Sequence, residues 1–264
     1  MSERGAEVQS VARAIDLLEV LADTDGLGLT EIAHRAGLRH NTAHRLLATL
    51  ISRGYVRREP GGGRYVLGYG VARLASRLGR LDQQLRSAAQ PLLERVHKVC
   101  RETTNLVILD GADIVYVDQV AGAGTVRMFA EPGARVPAHA SGAGKAMLAQ
   151  LDRADVEGRL GETLPAFTDR TITSRARLQE ELETIRVRGY ALDREEYELA
   201  VSCVAAAIVG PDGRVAGALS VSGPTGRLGE LADYAELGEL VGRSALDVSR
   251  ALGYEGDSPF RPVI

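Results

Sequence analysis

The sequence predicts an α+β chain in two parts: a small N-terminal bundle of three helices with a basic hairpin, and a larger C-terminal unit of helices around a largely antiparallel sheet. Three observations predict it. The length of 264 residues suits two modest domains, each of which can bury its own core. The apolar residues follow helical spacing as far as Arg53 and then alternate between helical stretches and strand pairs. The charge is divided: residues 1–80 carry 12 basic and 8 acidic side chains, a net of +4, and the remainder carries 20 and 27, a net of −7.

Composition narrows the class. Apolar residues make up 45% and charged residues 25%, ordinary for a soluble globular protein. No basic segment followed by an apolar run opens the chain, and no stretch approaches the ~18 apolar residues of a membrane span, so a cytoplasmic protein with no membrane partner is expected. Cys100 and Cys203 are the only cysteines, too few for a disulfide framework and without CxxC spacing for zinc.

The elements follow in order. After Ser10, a suitable N-cap, Val11, Ala14, Ile15, Leu18, Leu21 and Ala22 recur at helical spacing, giving a helix over 10–22. Asp23 to Gly28 form a loop. Thr30 caps a short second helix over Glu31–Ala36, and Gly37 suits the left-handed position that stops it. A third helix runs from Asn41 to Arg53 with Ala43, Leu46, Leu47 and Leu50 inward, and Gly54 ends it. Tyr55–Arg58 and Arg64–Leu67 read as two strands around Gly61, Gly62 and Gly63. Residues 68–80 form a linking helix, and 83–101 a longer one with Leu85, Ala88, Leu92, Leu93, Val96 and Val99 inside. Strands follow at Thr104–Leu109 and Ile114–Val120, with a third at Thr125–Phe129. Helices over 144–151 and 174–188 precede strands at Tyr190–Asp193, Val201–Ile208 and Val215–Ser222, and a last helix covers 229–251.

Three helices and a basic hairpin make a winged helix-turn-helix, whose second motif helix enters the major groove while the wing lies on the backbone. Between residues 26 and 80 only Glu31 and Glu59 oppose ten arginines, the electrostatic footprint of a phosphate-binding surface. Asn41, Thr42, His44 and Arg45 stand on the outward face of the third helix, with Arg39 and His40 just before it. These reach for base edges, and Arg57, Arg58 and Arg64 for phosphates. The plainer alternative is a solvated basic surface. His40 and His44, four apart, could ligate a metal, but no further ligand lies at useful spacing, and neither a metal nor a cofactor is expected.

Val8-Gln9-Ser10-Val11-Ala12-Arg13-Ala14, Leu29-Thr30-Glu31-Ile32-Ala33 and Thr42 to Leu50, together with Gly189, Asp193, Glu196 and Cys203-Val204-Ala205 in the pattern G-x3-D-x2-E-x6-C, resemble the IclR-type transcriptional regulators. Val209 and Gly210 depart from the end of that pattern, where an aromatic and an Asp or Asn are usual. The run Pro137 to Ala146 is similar to the branch of acetate-operon and allantoin-regulon repressors, which respond to glyoxylate-type acids. The resemblance implies a winged helix over 1–68, a linker helix over 69–82, a GAF-like effector-binding domain over 83–255 and a tail over 256–264. It also implies assembly as dimers or tetramers, double-stranded operator DNA as a partner, and a small carboxylate effector. Repression and activation both occur in such a family, and glyoxylate, pyruvate, allantoin-pathway compounds and aromatic acids all stay open as effectors.

Carried over by that resemblance, the effector contacts fall on Gly142, Ala143, Asp193, Cys203, Ser220 and Ser222, with Met128 and Val136 as apolar walls. The chemistry is consistent. Gly142 and Ala143 precede a helix, so their N–H groups can hold a carboxylate without a basic side chain. Ser220 and Ser222, two apart on a strand, point to one face. An ionised Asp193 accepts only, and requires a ligand hydroxyl such as that of a hydrated aldehyde. Taken without the resemblance, the serines are ordinary strand hydroxyls and Cys203 is inert core. Gly142-Ala143-Gly144-Lys145 lacks the GxxxxGK[ST] spacing of a phosphate loop, and its glycines are assigned to the effector. Two other functions compete: an enzyme with Cys203 as nucleophile beside Asp193, and a dimerising scaffold without ligand.

Overall fold

The computed structural model describes residues 8–61, 63–75, 80–125, 127–128, 130–230 and 234–256. The chain divides into two compact units, Met1–Arg80 and Leu81–Ile264.

The first unit opens with α1 (Gln9–Ala22), α2 (Leu29–Arg35) and α3 (His40–Ser52). Each starts slightly earlier than its capping residues predict. Val8, Gly28 and Arg39 hold the N-cap positions without a side-chain cap, so Ser10 and Thr30 lie inside the first turns and His40 opens α3 instead of preceding it. The C-terminal stops are as expected: Gly37 and Gly54 take φ of +62° and +77°, the left-handed conformation open to glycine. The core of this unit gathers Leu17, Leu21, Ile32, Ala43, Leu47, Leu50, Val56 and Tyr65. Val11 and Ile15, part of the apolar period of α1, are exposed.

β1 (Val56–Arg58) and β2 (Tyr65–Leu67) form the antiparallel wing, with Arg57 opposite Val66. Gly61 and Gly63 at its tip have positive φ, while Gly62 lies outside the described residues. The loop before α2 is tied to the wing. Leu27 exchanges backbone hydrogen bonds of 3.0 and 2.8 Å with Tyr65, which gives the wing a third strand-like edge. α4 (Tyr69–Ala75) follows; residues 76–79 of the expected linking helix lie outside the described residues.

The second unit is a six-stranded antiparallel sheet in the order β5-β4-β3-β8-β7-β6. It is built from β3 (Thr103–Asp110), β4 (Asp113–Val120), β5 (Arg135–Pro137), β6 (Ala191–Arg194), β7 (Val201–Val209) and β8 (Val215–Pro224). The expected third strand at Thr125–Phe129 is absent from 125 and 127–128, with Val126 and Phe129 outside the described residues; the edge strand is β5, where Val136 pairs with Ile114. One sheet face packs on α5 (Arg80–Cys100) and α10 (Tyr234–Ala251) through Leu93, Val96, Leu219, Val221, Val241 and Val248. Val99, expected inside α5, is 64% exposed, and Ala89 and Cys100 take the inward positions. The other face carries α6 (Gly142–Leu148), α7 (Arg153–Arg159) and α8 (Arg175–Arg188), packed through Ala146, Met147, Leu178, Leu182 and Ile185. α7 has no counterpart in the sequence reading. The last helix is preceded by α9 (Thr225–Glu230), and 231–233 and the tail from 257 lie outside the described residues. Among the described residues no helix is long and apolar enough to cross a membrane.

Candidate functional site

On α3, the pattern that buries Ala43, Leu47 and Leu50 leaves His40, Asn41, His44 and Arg45 exposed and Thr42 half-buried, with Arg39 exposed at the N-cap. The three wing arginines differ in how they are held. Arg57 is exposed on β1. The Arg58 guanidinium lies 4.8 Å over the Tyr65 ring and donates to its hydroxyl. Arg64 turns back to donate through Nε to the Gly26 carbonyl at 2.9 Å, so part of its hydrogen-bonding capacity straps the wing to the loop before α2. A guanidinium has five N–H donors, so neither arginine is exhausted by these contacts. Among the described residues no cluster of three or more His, Cys, Asp or Glu could hold a metal.

In the second unit, strand register builds a pocket on the face that carries α6. Asp193 stands opposite Cys203 and Cys203 opposite Ser222; one rung along, Ala205 stands opposite Ser220 and Ser220 opposite Asn105. Side chains on paired residues share a face, so Asp193, Cys203, Ser220 and Ser222 converge. They line a narrow cavity of about 30 Å³ whose walls include Met128, Val136, Ala143 and Tyr116. Every expected effector residue lines it except Gly142.

Gly142 and Ala143 open α6 instead of preceding it, and Ser141 is the N-cap, its hydroxyl accepting from the Gly144 N–H at 3.0 Å. Gly142 is where the helix meets the sheet: a Cβ there would stand 3.2 Å from the Cys203 carbonyl and 3.3 Å from its sulfur. Gly144 has a different reason. A Cβ at that position would collide with the Ala138 backbone, so packing, and not an effector, accounts for this second glycine.

The electrostatics are those of a buried site. Burial pushes the Asp193 carboxyl up to about 7, opposed by the Glu196 N–H that donates to Oδ1 at 2.7 Å. Both protonation states are therefore accessible near neutrality. Burial, with the Asp193 charge second, pushes the Cys203 thiol up to about 11, against hydrogen bonds from Ser222, Ser220 and the Ala143 N–H. Such a thiol is the reverse of an activated nucleophile, which has a lowered pKa. Burial likewise raises the Tyr116 phenol.

Beneath the pocket, Lys145 of α6 forms a buried ion pair with Glu196. Glu196 begins the segment that closes the cavity with Tyr197 and Glu198. Glu195 and Ala200 bracket it in the left-handed region, φ +64° and +63°, an unusual conformation for non-glycine residues.

The family model for the bacterial transcriptional regulator IclR C-terminal domain matches residues 80–250, and that for the IclR helix-turn-helix domain matches residues 10–60. The chain belongs to the IclR family of transcriptional regulators. It is 38% identical over 258 residues to the HTH-type transcriptional regulator BhcR of Paracoccus denitrificans, covering 97% of this chain and 92% of that protein. The acetate operon repressor of Salmonella typhimurium is 37% identical over 251 residues, 94% of this chain and 91% of that one. Among solved structures, IclR of Thermotoga maritima aligns with a TM-score of 0.76 at 29% identity, covering 94% of this chain and all of that one. An IclR homologue from Microbacterium hydrocarbonoxydans, complexed with 4-hydroxybenzoate, aligns at 0.74 with 27% identity, covering 92% and 98%. The IclR relatives are regulators and not enzymes, which removes the reading of Cys203 as a catalytic nucleophile.

The residues that sequence reasoning missed in this IclR regulator are instructive. Tyr116, Ile114 and Ser141 line the cavity, as do Tyr197, Glu198 and Val201. Ser141 was readable as an N-cap before a glycine-rich helix start. Tyr116 was not, because the register of β4 against β3 shifts between Leu106 and Val107. Counting by twos from Gln119 leads to Val117, whereas the bulge turns Tyr116 and Ile114 to the pocket.

Proposed function

We propose that this IclR regulator is a repressor that leaves its operator when a small 2-oxo acid, of which glyoxylate is the type, enters the cavity. Residues 39–45 read the major groove, and Arg57, Arg58 and Arg64 hold phosphates. The reading is supported by the exposed polar face of α3 beside a basic wing.

One observation carries the effector assignment: two serine hydroxyls, an α6 N–H and a carboxyl with raised pKa converge in a single cavity of about 30 Å³. Ser220, Ser222 and the N–H group of Ala143 offer donors to a carboxylate. Asp193, protonated near neutrality, adds a donor instead of repelling the anion, and in its ionised form accepts from the hydroxyl of a hydrated aldehyde. The cavity size favours a two- or three-carbon acid over an aromatic one such as the 4-hydroxybenzoate of the Microbacterium homologue. The likeness to the acetate operon repressor supports the same class. The protein acts as a homodimer or tetramer, with the winged helix over 1–68, linker over 69–82 and effector domain over 83–255 as its working parts. The effector shifts an equilibrium between arrangements of the paired DNA-binding units, which requires that it bind one of them better.

Titrating glyoxylate into a complex with the protein's own promoter fragment tests this reading. Loss of DNA binding is expected, and binding that stays unchanged across a series of small keto acids would falsify the ligand class.

A further inference from the structure

We propose that Gln119 and Asn105 form a hydrogen-bond relay that sets the direction of the Ser220 and Ser222 hydroxyls and so makes the cavity a receptor for hydrogen-bond acceptors. This deepens, and rests on, the reading of the cavity as the effector site. Neither residue lines the cavity: both stand beside the serines on the same sheet face.

The relay is a rung of the sheet. Gln119 stands opposite Asn105 and Asn105 opposite Ser220. Gln119 Nε2 donates to Asn105 Oδ1 at 2.8 Å, and Asn105 Nδ2 donates to Ser220 Oγ at 3.2 Å and to Ser222 Oγ at 3.3 Å. The Asn105 amide thus spends one proton on each serine. Asn105 is 1% exposed and Gln119 half-buried, and a polar network held at its centre by a buried amide keeps one consistent set of directions.

A serine hydroxyl has one proton and two lone pairs. With a lone pair of each Oγ occupied by Asn105, its proton is left for the pocket side, which Cys203 also lines opposite Ser222. The opposite state is easy to define. If the Asn105 amide rotated by half a turn, Oδ1 would face the serines, both hydroxyls would donate inward, and the cavity would present lone pairs to an incoming ligand. Gln119 selects between the two by offering a donor to Oδ1. It is a positioning residue, acting on the ligand through Asn105 and the serines.

Gln119→Glu tests the relay, since a carboxylate offers no donor and makes Asn105 turn its amide toward it. Gln119→Leu removes the donor without adding charge. Two readouts are followed, with thermal unfolding verifying that each variant is folded. The first needs no effector. In a Cys100→Ala background at a pH below the thiol's pKa, reaction of Cys203 with iodoacetamide follows its thiolate fraction. Losing the serine donors should slow it by about ten-fold in Gln119→Glu and in the same direction, by less, in Gln119→Leu. The second is selectivity. The parent protein should prefer glyoxylate over its neutral amide, glyoxylamide. Gln119→Glu should lose about ten-fold or more for glyoxylate while glyoxylamide binding holds or improves, and added salt should not restore the loss, as it would for a distant charge effect.

Unchanged Cys203 reactivity, an equal loss of both ligands, or an effect confined to Gln119→Glu and erased by salt would each overturn the relay. If the parent protein binds neither ligand, the effector reading falls, and Cys203 reactivity alone still decides the relay.

Discussion

Lys145 and Glu196 are paired out of water, 1% and 7% exposed, in a bond that joins the helix opening the pocket to the segment closing it. Among the described residues Glu196 Oε2 has no hydrogen-bond partner, so Lys145 supplies the principal stabilisation of this buried charge. Burial already pushes the Glu196 carboxyl up against the pull of the ammonium. Removing one partner strands the other, which costs about 3 to 5 kcal/mol for buried pairs, whereas replacing both with apolar groups is far milder. Lys145→Met should therefore lower stability by several kcal/mol in urea denaturation, and Lys145→Met with Glu196→Leu should recover much of it. A double variant no more stable than the single one would show that the pair is not acting as a unit.

The Glu196 N–H also fixes Asp193, and Asp193 gives the fold a pH dependence of its own. Its carboxyl is pushed up to about 7, against about 4 in an unfolded chain. Folding then takes up a proton between about pH 4 and pH 7, and stability from this group declines as pH rises through that window. Asp193→Asn keeps an acceptor for the Glu196 N–H but cannot ionise. Its stability should match the parent protein below about pH 4 and exceed it progressively toward pH 7, by ~4 kcal/mol at the upper limit. Urea midpoints measured across the range give the result, and a difference that does not change with pH would rule the assignment out.

The two glycines at the start of α6 should fail in different ways. Gly144→Ala drives a methyl into the Ala138 backbone, and since backbone cannot rotate aside, the loss should exceed the 1 to 3 kcal/mol typical of overpacking. Gly142→Ala meets the Cys203 sulfur and carbonyl and the Asp193 N–H at 3.2 to 3.3 Å, contacts that a few tenths of an ångström relieve. That variant should fold with a loss of about 1 kcal/mol yet respond weakly to effector, because the relief displaces Cys203. Thermal unfolding with and without glyoxylate separates the two, and a fully responsive Gly142→Ala would show that α6 and β7 need no such close approach.

Local rules made part of this molecule legible. Ser220 and Ser222 share a face because strands alternate, and Gly37 and Gly54 stop helices because only glycine takes positive φ without strain. What was hidden depends on long-range pairing. Asn105 and Gln119 become neighbours of Ser220 only once β3, β4 and β8 are in register, and the bulge at Leu106/Val107 breaks the period that would have placed Tyr116. The α1 helix shows the same limit from the other side: its apolar period includes Val11 and Ile15, which are exposed, because a helix pattern gives a stripe and not the width of what covers it.

Of the three wing arginines, Arg58 and Arg64 are engaged by hydrogen bonds and a ring contact, and among the described residues no such contact engages Arg57. Its removal should therefore act on phosphate binding alone. Arg57→Ala should weaken binding to operator and unrelated DNA alike and reduce the salt slope by about 1. Arg64→Ala should also loosen the wing from Gly26 and so lower the melting temperature as well as affinity. Arg45→Ala, on the outward face of α3, should instead narrow the gap between operator and unrelated DNA, losing about 1 to 3 kcal/mol of discrimination where it reads a base. Fluorescence anisotropy over a range of salt distinguishes these outcomes. An Arg57→Ala protein with an unchanged salt slope would place the wing off the DNA, since a lost phosphate contact must release one fewer counterion.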